Sequence, residues 1–369
     1  MRSLRDRTVL FVSDRGGHTL SRSERRWLPL MAALQKAGAQ VLLVTTMRGP
    51  ILGPARELGV TVARIRVDRF NVWITRNRLR AYMKRYVPAI VVASGFWADI
   101  PVRLAARGLP VTVVSDVTCG AWPLRGLGPV GTWTRRWLDR RTRGRTDAFI
   151  VDTRALETAM VADGIAPDRV HALAPGIDLA RVAREAAADV IVPEGGPVVG
   201  YAGALERSRG LHTLTTAAAA IRERHPDVHI LVGGEGPARL GLLPAALEGR
   251  IELAGHVHSV PSLLARFDVC VFPSVEPGLP TTLLEAAALG RPIVASDVSG
   301  IHEAFTAGAE VVLVPPGDAP ALADAVSGLL DDPERARALG RAARARAIDD
   351  YGAETLVSNW MTLLRRLVA

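Results

Sequence analysis

The sequence predicts an α/β protein built from two doubly wound, parallel-sheet domains. Three observations predict it. The chain has 369 residues, more than one compact domain ordinarily uses. Short, continuously apolar runs recur along it, as in strands buried on both faces. Helical periods separate those runs, and strand–helix alternation means parallel sheets.

In the first half the predicted strands are Val9–Ser13, Val41–Thr45, Thr61–Ile65, Ile90–Ala93, Val111–Ser115, Ala148–Val151 and Val170–Ala174. In the second half they are Val198–Ala202, Ile230–Gly233, Ile251–Ala254, Val269–Phe272, Ile293–Ser296 and Val311–Val314. Between them, Gly210–His225 carries Leu211, Leu214, Ala218 and Ile221 on one helical stripe. The alternation breaks over residues 181–197, which end in Gly195-Gly196-Pro197 before a fresh strand. Domain one is therefore placed at 1–185 and domain two at 186–351. The last helix, 352–369, carries Trp360, Leu363 and Leu364 and returns to domain one. Two such domains face each other across a central cleft, with ligands at the carboxyl ends of the strands.

Composition narrows the class. Hydrophobic residues make up 49% and charged residues 22%, which excludes a disordered chain. Two cysteines, Cys119 and Cys270, exclude a disulfide framework and a cysteine-based zinc site. The apolar start before Asp14 is too short for a signal-peptide core. The longest uncharged apolar stretch, Val87–Ala98, falls short of the ~20 residues a bilayer span needs. The expected location is cytoplasmic, with the protein either soluble or peripheral on the inner membrane face.

The net charge of +9 is unevenly spread. Residues 1–185 carry 31 Lys and Arg against 15 Asp and Glu; the remainder carry 15 against 22. Two clusters dominate, one from Arg64 to Arg85 and one from Arg135 to Arg145. They read either as solvated helix faces or as a surface for something anionic. Trp73, Trp133 and Trp137 lie close by, but no nucleic-acid module accompanies them, so nucleic acid is not the expected partner. Six of the seven tryptophans fall within residues 1–137. Trp122, in a Gly/Pro-rich stretch after a strand end, is the candidate acceptor contact, since flat apolar rings make sugar platforms.

The stretch from Gly255 to Gly300 carries the chemistry. A buried strand runs into a Gly/Pro loop holding Gly278, and a helix then starts near Thr281 and stops at Gly290. Thr281 or Thr282 is the expected N-cap. The first-turn amides of Thr281, Thr282 and Leu283, with the helix dipole behind them, make an anion site. Glu285 lies one turn in, where a carboxylate suits a pair of ribose hydroxyls. The alternative for Glu285 is an ordinary exposed helix glutamate. The histidines, including His256 and His258, lack paired metal-ligand spacing, so no metal is expected.

The motifs Pro273-Ser274, Glu285-Ala286-Ala287-Ala288, Gly290-Arg291-Pro292 and Ser299-Gly300 resemble the donor-binding domain of the retaining GT-B glycosyltransferases of family 4. Gly203-Ala204-Leu205 with Arg209-Gly210, Gly233-Gly234-Glu235-Gly236-Pro237 and Gly255-His256-Val257 are similar to that family's earlier loops, and residues 146–181 to the end of its first domain. The resemblance spans nearly the whole chain and is strong from about 146 to 350. It implies two Rossmann-like domains, the first for the acceptor and the second for a nucleotide sugar.

It also implies roles. Donor contacts fall on Gly16, Gly17, Arg207, Gly233, Gly234, Val257, Gly278, Thr281, Thr282, Leu283 and Glu285. Catalytic positions fall on Arg209, Glu276 and Asp116. Arg209 stands where the family has lysine, and its fork can hold phosphate oxygens in two places. Ala204 replaces an arginine, a loss that Arg207 is expected to supply. The first glutamate of the family's pair falls at Pro277. Glu276 is one residue early, so either the loop is rebuilt to let it reach the donor sugar or that contact is absent. The histidine usual after the fifth strand falls at Asp116, which alternatively is a turn residue. Ser23-Glu24-Arg25 resembles the segment that directly follows the family's glycines, with about five residues inserted after Gly16-Gly17.

The implied reaction moves a sugar from a nucleoside-diphosphate sugar, with UDP or GDP as the base-bearing half, to an acceptor hydroxyl with retention and without metal or cofactor. The acceptor is anionic, lipid-linked, or a polyol or sugar, with peripheral membrane contact through the basic domain. The alternatives are a nucleotide-sugar epimerase or hydrolase of the same fold, and a catalytically silent sugar-nucleotide-binding partner. The absence of Gly-x-Gly-x-x-Gly after the first strand disfavours a nicotinamide oxidoreductase.

Overall fold

The computed structural model describes residues 4–14, 20–46, 49–67, 71–117 and 129–368, with backbone alone at 22 and 129–131. The described chain divides into two compact units, residues 1–175 with 354–369 and residues 176–353.

The first unit holds β1 (Thr8–Ser13), α1 (Arg22–Lys36), β2 (Gln40–Thr45), α2 (Leu52–Glu57), β3 (Thr61–Arg64), α3 (Val72–Tyr86) and β4 (Ile90–Ser94). It continues with α4 (Phe96–Ala105), β5 (Thr112–Val117), α5 (Pro129–Thr142), β6 (Ala148–Val151), α6 (Arg154–Ala162) and β7 (Val170–Ala172). Its seven strands are all parallel, in the order β3-β2-β1-β4-β5-β6-β7. Because side chains alternate along a strand, one sequence feeds two cores. Val9 and Phe11 pack with Trp27 and Leu30 of α1, whereas Leu10 and Val12 pack with Leu79 of α3 and Val102 of α4. The entry to α1 is locally encoded. Ser21 accepts from the Glu24 amide at 3.2 Å, and the Glu24 carboxylate accepts from the Ser21 amide at 2.8 Å, a reciprocal cap. Ser23-Glu24-Arg25 is thus the first turn of a helix, and Glu24 is buried.

The second unit holds α7 (Leu179–Ala186), β8 (Val198–Ala202), α8 (Leu211–Arg224), β9 (His229–Gly233), α9 (Arg239–Leu247), β10 (Glu252–Gly255) and α10 (Val260–Leu264). There follow β11 (Val269–Phe272), α11 (Thr281–Ala288), β12 (Ile293–Ser296), α12 (Ser299–Ala304), β13 (Val312–Val314), α13 (Ala319–Asp331) and α14 (Pro333–Tyr351). Its six parallel strands run β10-β9-β8-β11-β12-β13. The predicted class, two doubly wound Rossmann-like sheets, is the one the chain adopts. In each sheet the strand order reverses once, between β1 and β4 and between β8 and β11. That reversal opens a crevice at the carboxyl ends of the two strands.

Two expectations about the junction are corrected. The division falls between Pro175 and Gly176 rather than at 185/186. The reason is packing: α7 lies against α10 and α11, and Ile177 is tied to the end of α14 by its amide on Tyr351 O at 2.8 Å. Gly195-Gly196-Pro197, where the alternation breaks, accordingly lies inside the second unit and not at the division. A side chain at Gly196 would meet the Asp227 carbonyl oxygen at 1.8 Å, so the glycine is a close backbone approach within the second unit. The last helix, α15 (Ala353–Leu367), belongs to the first unit from Glu354 onward. Leu356, Trp360, Leu363 and Leu364 form its buried stripe and share a core with Trp27.

Candidate functional site

The second unit concentrates the predicted donor residues at its strand-order reversal. After β8 the chain enters a loop that closes in a short 3₁₀ turn, Arg207–Arg209, and then starts α8. Gly210 makes that handover possible. Its φ is +61°, and a Cβ there would lie 2.0 Å from the Pro273 carbonyl oxygen. The Val275 amide donates to Ser208 O at 3.0 Å. The arginine turn is therefore held directly against the loop that follows β11. Arg209 is half-buried and Arg207 is exposed.

The loop after β9 is clamped to the same place. Gly234, with φ +137°, would carry a Cβ only 1.9 Å from the Gly203 carbonyl oxygen. The Leu205 amide donates to Glu235 O at 2.9 Å, and the Ala238 amide to Leu205 O at 2.8 Å. Gly233 has no room either: a Cβ would meet Leu263 at 2.4 Å and Val257 at 2.8 Å. Gly233, Gly234 and Val257 are thus brought to one end of the sheet, and their first demand is backbone packing. Tyr201 closes the floor, donating its hydroxyl to Ala204 O at 2.8 Å. Burial pushes its phenol up to about 12, against the pull of Arg209.

On the other side of the reversal, α11 begins at Thr281, with Pro280 at the N-cap and no side-chain cap. The expected threonine N-cap is corrected: both threonines are already inside the helix, half-buried. The Leu283 amide turns back to Pro280 O at 3.1 Å, so it is not the free donor expected of it. The amides of Thr281 and Thr282 precede any carbonyl the helix can offer them. Among the described residues they are the outward donors at this positive helix end. Gly278 is buried against Gly300, where a Cβ would approach the Gly278 carbonyl carbon to 2.4 Å. Glu276 is exposed on the loop between β11 and α11.

Glu285 is not an exposed helix glutamate. It is 2% exposed, and its carboxylate is paired with the Arg181 guanidinium. Arg181 reaches from α7 and also holds Glu185 at 2.9 Å. Burial works against the Arg181 charge, but Glu285 and Glu185 outweigh it and hold the guanidinium above its ordinary value. Arg181 escaped sequence reasoning because it lies 104 positions from its partner and carries no motif. The chemical content of this end of the sheet is a cationic turn, two amides at the positive end of a helix and a buried carboxylate one turn deeper. Those are the groups a diphosphate and a pentose diol require. Among the described residues no group of three or more His, Cys, Asp or Glu could hold a metal ion. His256 and His258 follow β10 with their rings 5.1 Å apart, edge to face.

The first-unit expectations fare differently. Asp116 lies inside β5, not in a turn after it, and is 2% exposed. It accepts from Trp27 Nε1 at 2.8 Å and from Arg26 Nε at 3.1 Å, and the Arg26 guanidinium stacks over Trp360. A carboxylate enclosed by those partners ties α1, β5 and α15 together. The turn-residue alternative for Asp116 is corrected to a buried strand position. Gly16, Gly17 and Trp122 lie outside the described residues. Next to them, Asp14 accepts from the Trp97 amide at 2.8 Å and so caps α4 from the end of β1.

Residues 23–176 match the family described as glycosyl transferase 4-like domain, and residues 196–332 match glycosyl transferases group 1. The glycogen synthase of Mycobacterium tuberculosis is 33% identical over 290 residues, covering 73% of this chain and 67% of that protein. The 2-deoxystreptamine glucosyltransferase of Streptomyces kanamyceticus is 30% identical, covering 69% and 71%. Among solved structures, Anabaena HepE in complex with UDP superposes with a TM-score of 0.79 at 17% identity, covering 97% of this chain and 100% of that one. A Rickettsia africae glycosyltransferase has the same TM-score at 14% identity, covering 98% and 99%. The chain belongs to the GT-B glycosyltransferases of family 4 and is itself a glycosyltransferase.

Proposed function

We propose that the protein transfers a sugar from a nucleoside-diphosphate sugar, UDP- or GDP-linked, to an acceptor hydroxyl with retention at the anomeric carbon and without a metal or cofactor. The observation that carries this reading is the convergence of the Arg207–Arg209 turn, the α11 amino terminus and buried Glu285 at one strand-order reversal. UDP bound to HepE supports the donor class. In the reaction the anomeric carbon–phosphate oxygen bond breaks, the bond to the acceptor oxygen forms, and the acceptor proton leaves. Charge accumulates on the departing diphosphate, and Arg209 with the Thr281 and Thr282 amides neutralises it without a metal ion. Arg207 adds a second, exposed guanidinium in place of the arginine missing at Ala204. Glu285, positioned by Arg181, holds the ribose. Glu276, exposed on the loop before α11, is the carboxylate proposed to reach the donor sugar and is not assigned as a nucleophile. With same-side departure, the leaving oxygen itself receives the acceptor proton. The acceptor is anionic, lipid-linked, or a polyol or sugar, and is bound by the first unit at the inner face of the membrane.

The test is a thermal-shift panel of UDP, GDP and ADP, followed by turnover of the matching sugar nucleotides and NMR of the product's anomeric proton. Binding with retained configuration supports the reading. Inversion refutes retention, and release of free sugar without an acceptor favours the hydrolase. Binding without turnover on any acceptor favours the silent partner. Glu285→Ala abolishes the nucleotide-induced shift if the carboxylate grips the pentose.

A further inference from the structure

The first unit carries a surface that nucleotide binding does not use. Trp133 and Trp137 of α5 are 67% and 53% exposed, although tryptophan is ordinarily well buried. They occupy i and i+4 of one helix face, and Arg136 and Arg140 continue that face. Together with Arg141, whose guanidinium stacks on Trp137, these side chains line a shallow open cavity. Arg136 and Arg140 share one acid, Asp163, at 3.4 and 2.8 Å with Arg143, so the cluster keeps a cationic excess.

A second patch stands beside it. On α3, Trp73 and Ile74 are 68% and 54% exposed. That helix carries five cations and no acid, with Arg78, Lys84 and Arg85 on exposed positions. Both helices pack on α4, α3 on one flank and α5 on the other, so their outward faces lie in one layer. The chain thus spends indole and isoleucine surface in water beside an excess of cations.

We propose that the outer faces of α3 and α5 dock on a bilayer carrying anionic headgroups. Arginines answer the surface charge, and the indoles and Ile74 enter the headgroup–acyl boundary. A hydrated polyanion such as nucleic acid would pair with the arginines but offer Ile74 nothing to bury it. A small soluble anion would leave Trp73 and Ile74 equally exposed. No described helix is long and apolar enough to cross a membrane, so the contact is interfacial. The inference deepens the reading of a membrane-borne acceptor, yet it is measured without nucleotide or turnover.

The test is cosedimentation of the full chain with vesicles of phosphatidylcholine alone and of phosphatidylcholine with phosphatidylglycerol at ~7:3. Binding to the anionic vesicles that falls with added salt, and little binding to the neutral ones, is expected. Neutralising exposed cations by Arg78→Gln and Arg141→Gln weakens binding about fivefold each. Trp133→Ala with Trp137→Ala weakens it by at least tenfold while circular dichroism and the UDP thermal shift stay unchanged. Arg337→Gln, on α14 of the second unit, leaves it unaltered. Equal binding to both vesicle types, no binding, or full binding by the tryptophan double variant would overturn the proposal. So would tighter, salt-sensitive binding to DNA or heparin than to the anionic vesicles. Loss of vesicle binding with nucleotide binding intact sinks this inference alone; loss of nucleotide binding sinks the donor site alone.

Discussion

Asp99 should make the first unit less stable as pH rises from about 4 to 7. It lies on the first turn of α4 and is 8% exposed. Ser115 Oγ donates to it at 2.7 Å, and Arg103 Nη2 stands 3.9 Å away. Arg103 spends its closer contact on Asp139, at 2.7 Å. Burial is the largest influence and outweighs both Arg103 and Ser115, so the carboxyl is pushed up to about 7 from 3.8. Between those values the folded chain keeps a proton that the unfolded chain has lost. Stability therefore falls with rising pH across that window and levels off above it. A shift of about three units corresponds to at most ~4 kcal/mol, and polarisation of the surroundings reduces it. Asp99→Asn keeps the shape and an acceptor for Ser115 but cannot ionise. The wild-type melting temperature, followed by circular dichroism from pH 4 to 8, should fall relative to the variant's. The relative fall is ~2–4 °C per kcal/mol, with the variant the more stable at pH 8. An unchanged wild-type-minus-variant difference across that range would show that Asp99 is ionised throughout, and the reasoning would be wrong.

Other perturbations follow from the same contacts. Arg181→Ala leaves Glu285 buried without its cation. It should cost about 1–3 kcal/mol, below the cost of breaking a fully buried pair because the Arg181 side chain keeps 29% exposure, and should weaken nucleotide binding in the same titration. Gly234→Ala forces a methyl toward the Gly203 carbonyl, and both the melting temperature and nucleotide affinity should drop, whereas Gly241→Ala, inside α9 with open space around it, should leave affinity unchanged and raise the melting temperature slightly. Trp360→Ala removes the largest α15 anchor from the first core and should lower stability by about 3–5 kcal/mol in urea melts, with little effect on UDP affinity. Arg209→Ala should lower kcat and diphosphate affinity together, while Arg209→Lys, which keeps the charge but not the fork, should recover part of each.

The central strands were legible because they are buried on both faces, as in β1, β4, β8 and β11, so their residues are apolar almost without a break. The ladder from Val9 to Val314 could be read from local runs alone. The ends of helices were less legible. Thr281 and Thr282 have the chemistry of N-caps, but the Pro280 backbone takes that place, and only φ and ψ decide such a contest. Asp116 looked like a turn residue because Asp usually sits in turns; the strand continued through it once Arg26 and Trp27 arrived from α1 to satisfy the carboxylate.

By itself, then, the order of residues settled the sheet class, the family and the stretch of chain where the donor residues sit, since those depend on periodicity and on motifs a few positions long. Folding decided which of those residues face outward and which are spent. Glu285 meets Arg181 from another helix, Leu283 gives its amide to Pro280, and five tryptophan and arginine side chains of α5 line one open cavity. A hydrogen bond or ion pair across a hundred positions leaves no local trace, because its energy is felt only when the backbone has brought the two groups within a few ångströms.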